Sequence, residues 1–291
     1  MSIDKLQDRI RKLKSPLALD LFAQPEHIPH GFLENGDSFV EAYLAYCGQL
    51  LETLTETVSA VRLDYGVLAF YGAKGIEALS QIADKAHKLG YYVLLQIPEP
   101  LSRRVAAFEA GCLFASDAPI WFDGLMLTAY IGSDAVAPFA DYLKESEKDL
   151  FVVARTSNRS AAEMQELRSG SRLAYLAKAD IAKRYADGLA GRKGYSRIGL
   201  VAAASSADCL RSLRQKYSNL FLVLDGCDYP NANAKNCSLA FDKLGFGALA
   251  CIGLSVMAAW QESEEAADPI ESAKRAAERY KKNLLRYVTV L

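Results

Sequence analysis

One pattern recurs eight times along this chain: a short apolar run, a polar loop, then a stretch with apolar residues three and four apart. The run at 91–104, YYVLLQIPEPLSRR, shows it clearly. Tyr91 to Ile97 is aromatic and aliphatic with one polar residue, Gln96, near its end. Pro98 and Pro100 then end ladder pairing, because proline has no N–H to donate. From Leu101 the spacing turns helical, with Val105, Phe108 and Cys112 on one face. Equivalent strands are predicted at 17–22, 60–65, 122–128, 150–155, 197–202, 220–224 and 246–252. Eight strands, each followed by a helix, predict a single (β/α)8 TIM barrel over 1–291 with an extra N-terminal helix at 3–13. Strands apolar throughout imply a parallel sheet covered on its outer face. An open doubly wound sheet is the alternative, but no GxGxxG follows the first strand.

The connecting segments complete the expectation. Ile3, Leu6, Ile10 and Leu13 share one face of the opening helix, which reads as a lid. The segment 23–35, rich in Pro, Gly and His, reads as a long loop. Helices are predicted at 38–58 and 73–89, after Ser133-Asp134 as a cap, after Ser205–Asp208, and at 270–286 beyond an acidic break at 262–268. An apolar-periodic stretch runs from the loop 156–158 to about Leu189, and 227–236 reads as polar and flexible.

Composition narrows the function. The 291 residues are 51% hydrophobic and 24% charged, with a formal net charge of −1. Balanced charge with no clustered Lys/Arg stripe argues against nucleic-acid binding. The amphipathic N-terminus is not a secretory signal and no apolar stretch reaches spanning length, so no membrane partner and a cytoplasmic location are expected. The six cysteines (Cys47, Cys112, Cys209, Cys227, Cys237 and Cys251) form no CxxC pair and have no histidine at ligand spacing. They read as small hydrophobes in a reduced compartment, with Cys227 and Cys251 near strand ends. No metal and no cofactor are expected.

In such a barrel the chemistry stands at the C-terminal ends of the strands. These ends present Asp20, Arg62 or Asp64 with Tyr65, Gln96 with Glu99, Thr128, Arg155 through Asn158, Asp225 and Gly253. Asp20 either ties down the following loop or acts on a ligand, and Arg155 is a ligand contact or a rim ion-pair partner. Thr156, Ser157 and Asn158 have the polarity to meet a base or sugar, and equally that of an ordinary turn. Asp225, Gly226 and Gly253 resemble the small-residue arrangement that receives phosphate after strands seven and eight, without a positive partner. No lysine stands at a strand end; the nearest, Lys74, opens a helix. The mouth is therefore expected to offer no cation.

The runs FDGLMLTAYIGSDAVAPF (122–139), LFVVARTSN (150–158) and FDKLGFGALA (241–250), in this order, resemble the orotidine 5'-phosphate decarboxylase family, in particular its longer bacterial branch. LALD (17–20) and LAFYGAKGIEAL (68–79) fit the same alignment, which spans nearly the whole chain. The resemblance implies a (β/α)8 barrel, a homodimer with sites at the subunit interface, and action on a pyrimidine ribonucleotide without metal or organic cofactor. It also implies a catalytic D-x-K-x-x-D on strand three and a lysine after strand two. Here the strand-three positions read Gln96, Pro98 and Leu101, and the strand-two lysine falls on or near Tyr65. The family's phosphate-gripping Gln and Arg fall near Pro230 and Leu254. Asp20 matches the first-strand aspartate, and 156–158 match the segment that meets the pyrimidine.

Proline has no proton to give, and a positioned general acid supplies about 10²–10⁴-fold. Loss of the carboxylates removes preorganised charge. The expected reading is a decarboxylase-like barrel with its catalytic Asp/Lys array and phosphate-binding Arg replaced, binding a small phosphorylated or nucleotide ligand. Two alternatives stand beside it: a genuine decarboxylase with a shifted register, and a structural protein with a collapsed mouth.

Overall fold

The computed structural model describes residues 2–262 and 268–291. Eight parallel strands close into a barrel: β1 (Leu17–Asp20), β2 (Ala60–Asp64), β3 (Tyr92–Gln96), β4 (Gly124–Leu127), β5 (Asp149–Val153), β6 (Ser196–Ala203), β7 (Leu220–Asp225) and β8 (Ala248–Ile252). Each strand neighbours the next, and β1 closes onto β8 with Leu17 opposite Ala250. The barrel interior is packed solid. The Phe151 ring fills it because its neighbours across the sheet are glycines: a Cβ at Gly124 or Gly199 would come within 2.7 Å of that ring. β-Branched and aliphatic residues occupy most of the remaining strand positions, all buried.

At the N-terminal ends of the strands the helix Ser2–Leu13 seals the barrel floor. Ile3, Leu6 and Ile10 are fully buried there, each stabilising by roughly 1.5–3 kcal/mol. Asp4 fixes this helix by accepting the backbone N–H groups of Arg192 and Lys193, both at 3.2 Å. Beneath it, Asp149 accepts the Tyr92 hydroxyl at 2.7 Å and lies 3.5 Å from the Arg197 guanidinium. The lid expected from the sequence is a floor.

Several boundaries differ from the sequence expectation. The 23–35 loop folds into a short turn at Pro25–His27 and a helix at His30–Asn35. The second crossover starts earlier than expected, with a helix Tyr65–Ala69 capped by Asp64, before the helix Gly72–Lys88. The N-cap position before Ser133 is Gly132, and no side chain caps it. The stretch 159–189 divides into Ala161–Gln165, a small hairpin pairing Arg168 with Leu173, and the helix Ala174–Ala186. Within 227–236, Cys227 is buried, and a short helix begins at Ala234. Of the acidic break, residues 263–267 lie outside the described residues; Asp268 caps the last helix, Pro269–Leu284. Five cysteine thiols are buried, and Cys112 is exposed. Among the described residues, no helix is long and apolar enough to cross a membrane.

Candidate functional site

Strand parity decides what enters the mouth. Residues two apart on a strand face the same side, and on β2 these are Arg62 and Asp64. Both line a cavity of about 290 Å³ at the C-terminal ends of the strands, together with Asp20, Gln96, Thr128, Thr156 and Asp225. Met126, Val153 and Val201 are among its apolar walls. The mouth is open, so the collapsed alternative has no support in the packing.

Arg62 is the correction to the expectation of a mouth without a cation. Its guanidinium lies between two acids: Nη2 donates to Asp20 Oδ2 at 2.5 Å and Nη1 to Asp225 Oδ1 at 2.7 Å, while Nε closes a further ion contact with Asp20 Oδ1. Burial works against this cation, but Asp20 and Asp225 outweigh it and hold its pKa well above the ordinary value. Arg62 therefore supplies fixed positive charge and no proton. Burial pushes the Asp20 carboxyl up to about 7 despite Arg62, with Asp225 and Asp228 acting in the same direction. A carboxyl in that range can give or take a proton near neutrality.

Around this core the polar groups hold one another. Asp64 accepts from Gln96 Nε2 at 2.9 Å and from the Val67 N–H at 3.0 Å. The Thr156 N–H donates to Gln165 Oε1 at 2.8 Å, and Gln165 Nε2 donates to Thr156 Oγ1 at 2.7 Å. Buried Ser157 donates its hydroxyl to the Asp225 carbonyl. Thr128 Oγ1 is buried without a hydrogen-bond partner.

Other sequence candidates stand outside the cavity lining. Tyr65 opens a helix, since β2 ends at Asp64. Pro98 and Leu101 fall in the loop beyond β3, and Leu101 is 80% exposed. Arg155 pairs with Glu166 at 2.8 Å and donates to its neighbour's carbonyl, so it braces the rim. Asn158 is exposed and donates to Ser160 Oγ at 3.0 Å. Gly226 and Gly253 lie behind the aspartates. A Cβ on Gly253 would come 2.6 Å from Asp20 Cβ.

The expected anion cradle is occupied by the chain itself. The N–H groups of Gly253 and Ser255, which follow β8, both donate to Asp228 Oδ2 at 2.9 Å. Sequence reasoning missed Asp228 because it lies in the segment read as flexible. Among the described residues, no group of three or more His, Cys, Asp or Glu is placed to hold a metal ion.

No family model matches the chain. Curated relatives are nonetheless similar from end to end. Orotidine 5'-phosphate decarboxylase of Clostridium novyi is 23% identical over 274 residues, covering 94% of each chain. That of Clostridium acetobutylicum is 24% identical over 278 residues, covering 95% of this chain and 96% of its own. Among solved structures, OMP decarboxylase of Leishmania donovani superposes with a TM-score of 0.72 at 24% identity, covering 98% of this chain and 99% of that one. Orotidine 5'-monophosphate decarboxylase of Plasmodium berghei does so at 0.78 and 14%, covering 98% of each. In sequence over 94–95% of its length, and in its closed eight-stranded barrel, this chain resembles the orotidine 5'-phosphate decarboxylases.

Proposed function

We propose that this chain is a diverged, decarboxylase-like barrel, one domain over 1–291 working in the cytoplasm, that binds a small molecule at its mouth and does not decarboxylate orotidine 5'-phosphate. The carrying observation is Arg62 locked between Asp20 and Asp225, with Gln96, Pro98 and Leu101 where the resemblance implies Asp, Lys and Asp. The resemblance implies a lysine as the group that protonates the carbanion; Pro98 stands at its position, and a doubly paired guanidinium does not replace it. Asp20, Thr128, Thr156 and Asp225 are the proposed ligand contacts, with Ser157, Gly226 and Gly253 supporting them from behind. Release of CO2 from orotidine 5'-phosphate tests the reading. No release above the uncatalysed rate is expected, and turnover of about 1–10³ s⁻¹ would make the chain a genuine decarboxylase.

The homodimer has its own support. Phe70, Leu101, Phe108 and Tyr130, in the segments after β2, β3 and β4, are between 71% and 93% exposed. Large apolar side chains left exposed over three successive crossovers suit a protein–protein surface where they adjoin, and a second copy of this chain is the proposed occupant. Light scattering on the eluted protein should give twice the 31.9 kDa chain mass. The Phe70→Asp, Phe108→Asp double variant should elute as a monomer.

A further inference from the structure

At the floor of the barrel, opposite the mouth, one lysine stands among rings rather than acids. Lys148 immediately precedes β5, and its carbonyl accepts from the Arg197 guanidinium, which pins the backbone there. Its Nζ lies 3.5 Å from the centroid of the Phe122 ring, with those of Phe114 and Trp121 at 5.8 and 5.9 Å. Phe114 and Phe122 are buried, but Trp121 is 42% exposed and Lys148 itself only half-buried, so the box is not closed off from solvent.

Other lysines are held differently. Lys85 pairs with Glu52 at 2.7 Å and Lys144 with Asp141 at 3.2 Å. The acid that acts on Lys148 is Asp123, whose oxygens already accept the Ser2 hydroxyl at 3.3 Å and the Val93 N–H at 2.9 Å. Ring faces attract an ammonium, yet they give it no strong hydrogen bond in place of the water it loses. Burial outweighs Asp123 and pushes the Lys148 ammonium down to about 8. Roughly a quarter of such an amine is unprotonated at pH 7.5, against about one part in a thousand for an ordinary lysine. The other titratable groups at this corner are His87, whose ring is 4.0 Å from that of Trp121, and the Lys5–Glu147 pair.

We propose that Lys148 is a modification site, acylated at Nζ by small acyl phosphates. The amine nitrogen attacks the acyl carbon, the C–N bond forms as the acyl C–O bond breaks, phosphate leaves with the bonding pair, and the amine proton passes to water. The product is a neutral amide, which suits a wall of three rings and breaks no ion pair. The same change at Lys85 or Lys144 would leave Glu52 or Asp141 without its cation. A carbamate, the product with CO2, would set negative charge against the negative faces of the rings. The site is at the far end of the barrel from the mouth and does not depend on what the mouth binds.

Limiting acetyl phosphate on the full chain tests this. Unfolding, exhaustive deuterated acetylation and peptide mass spectrometry then read the occupancy of every lysine. At pH 7.5, Lys148 should be acetylated at least fivefold faster than the exposed Lys12 and Lys243. Its rate should level off with a midpoint near pH 8, while theirs go on rising. Trp121→Ala, which admits water at the exposed wall, should move that midpoint up by half a unit or more, whatever it does to access. Acetylation of Lys148 no faster than that of Lys12 and Lys243, or a rate still climbing beside theirs past pH 9.5, would overturn the proposal. A midpoint unmoved in Trp121→Ala would overturn the role of the rings.

Discussion

Arg62 on β2 and Asp225 on β7 meet across the barrel mouth at 2.7 Å, although 163 positions separate them in the chain. With Asp20 on β1 they tie the two sides of the barrel through one guanidinium. Removing one partner of a buried ion pair strands the other charge, at a cost of about 3–5 kcal/mol. Arg62→Met is therefore expected to lower the urea midpoint steeply, because Asp20 and Asp225 lose their common partner. Arg62→Lys should fall between, since an ammonium cannot reproduce the fork that spans both acids. An Arg62→Met variant as stable as the parent would mean that the acids take up protons without cost.

The barrel was legible because its signal is local and repeated: each apolar run and its helix announce themselves within about thirty residues. Asp20 and Asp225 were legible too, one near the end of the apolar run 17–22 and the other just after the run 220–224, and the structure ends both strands on them. Arg62 was harder. It stood among the strand-two candidates, but counting the strand through Tyr65 drew attention to the wrong residue. The missing signal was parity, since Asp64 at the strand end carries Arg62 with it onto the inner face. Arg155 misled in the opposite way. Its place after β5 suits the mouth, and only Glu166, eleven positions on, turns it aside. Asp228 reaches Gly253 and Ser255 over 25 and 27 positions, a pairing that no periodicity encodes.

The barrel floor should make stability depend on pH. Burial raises the Asp149 carboxyl from 3.8 to about 8, outweighing the Tyr92 hydroxyl and Arg197, which lower it. A carboxyl with a raised value holds its proton more tightly in the folded chain than in the unfolded one. The stability this contributes is full below about pH 4 and is lost as pH climbs through about 8. Asp20, at about 7, acts in the same direction. The melting temperature is expected to fall between pH 5 and pH 8. Asp149→Asn, which keeps the shape and removes the titration, should flatten that slope; an unchanged slope would remove Asp149 as its source.

Asp228 offers a test of the closed cradle. Asp228→Ala leaves the N–H groups of Gly253 and Ser255 without their acceptor, and an unsatisfied buried donor costs about 1–3 kcal/mol. The variant should melt lower than the parent, and inorganic phosphate should restore part of the loss while leaving the parent's melting temperature unmoved. Equal phosphate responses in the two proteins would show that the carboxylate guards nothing.

Gly226 joins the acid on β7 to the loop after β5. It has φ +67°, and a Cβ there would lie 2.8 Å from Ser157 Cβ and 2.9 Å from the Tyr229 ring. The left-handed conformation costs an ordinary residue about 1–2 kcal/mol, and the contact with Ser157 adds to it. Ser157 gives its hydroxyl to the Asp225 carbonyl and its N–H to Asp225 Oδ2 at 3.4 Å. Pushing Ser157 away therefore loosens the aspartate that holds Arg62. Gly226→Ala should cost more than the backbone penalty alone in urea denaturation. Combining it with Ser157→Gly, which removes the clashing Cβ, should recover little, because the left-handed backbone remains and the hydroxyl contact with Asp225 is already lost. Full recovery in the double variant would place the whole effect in the Ser157 clash and leave Asp225 and Arg62 indifferent to the loop.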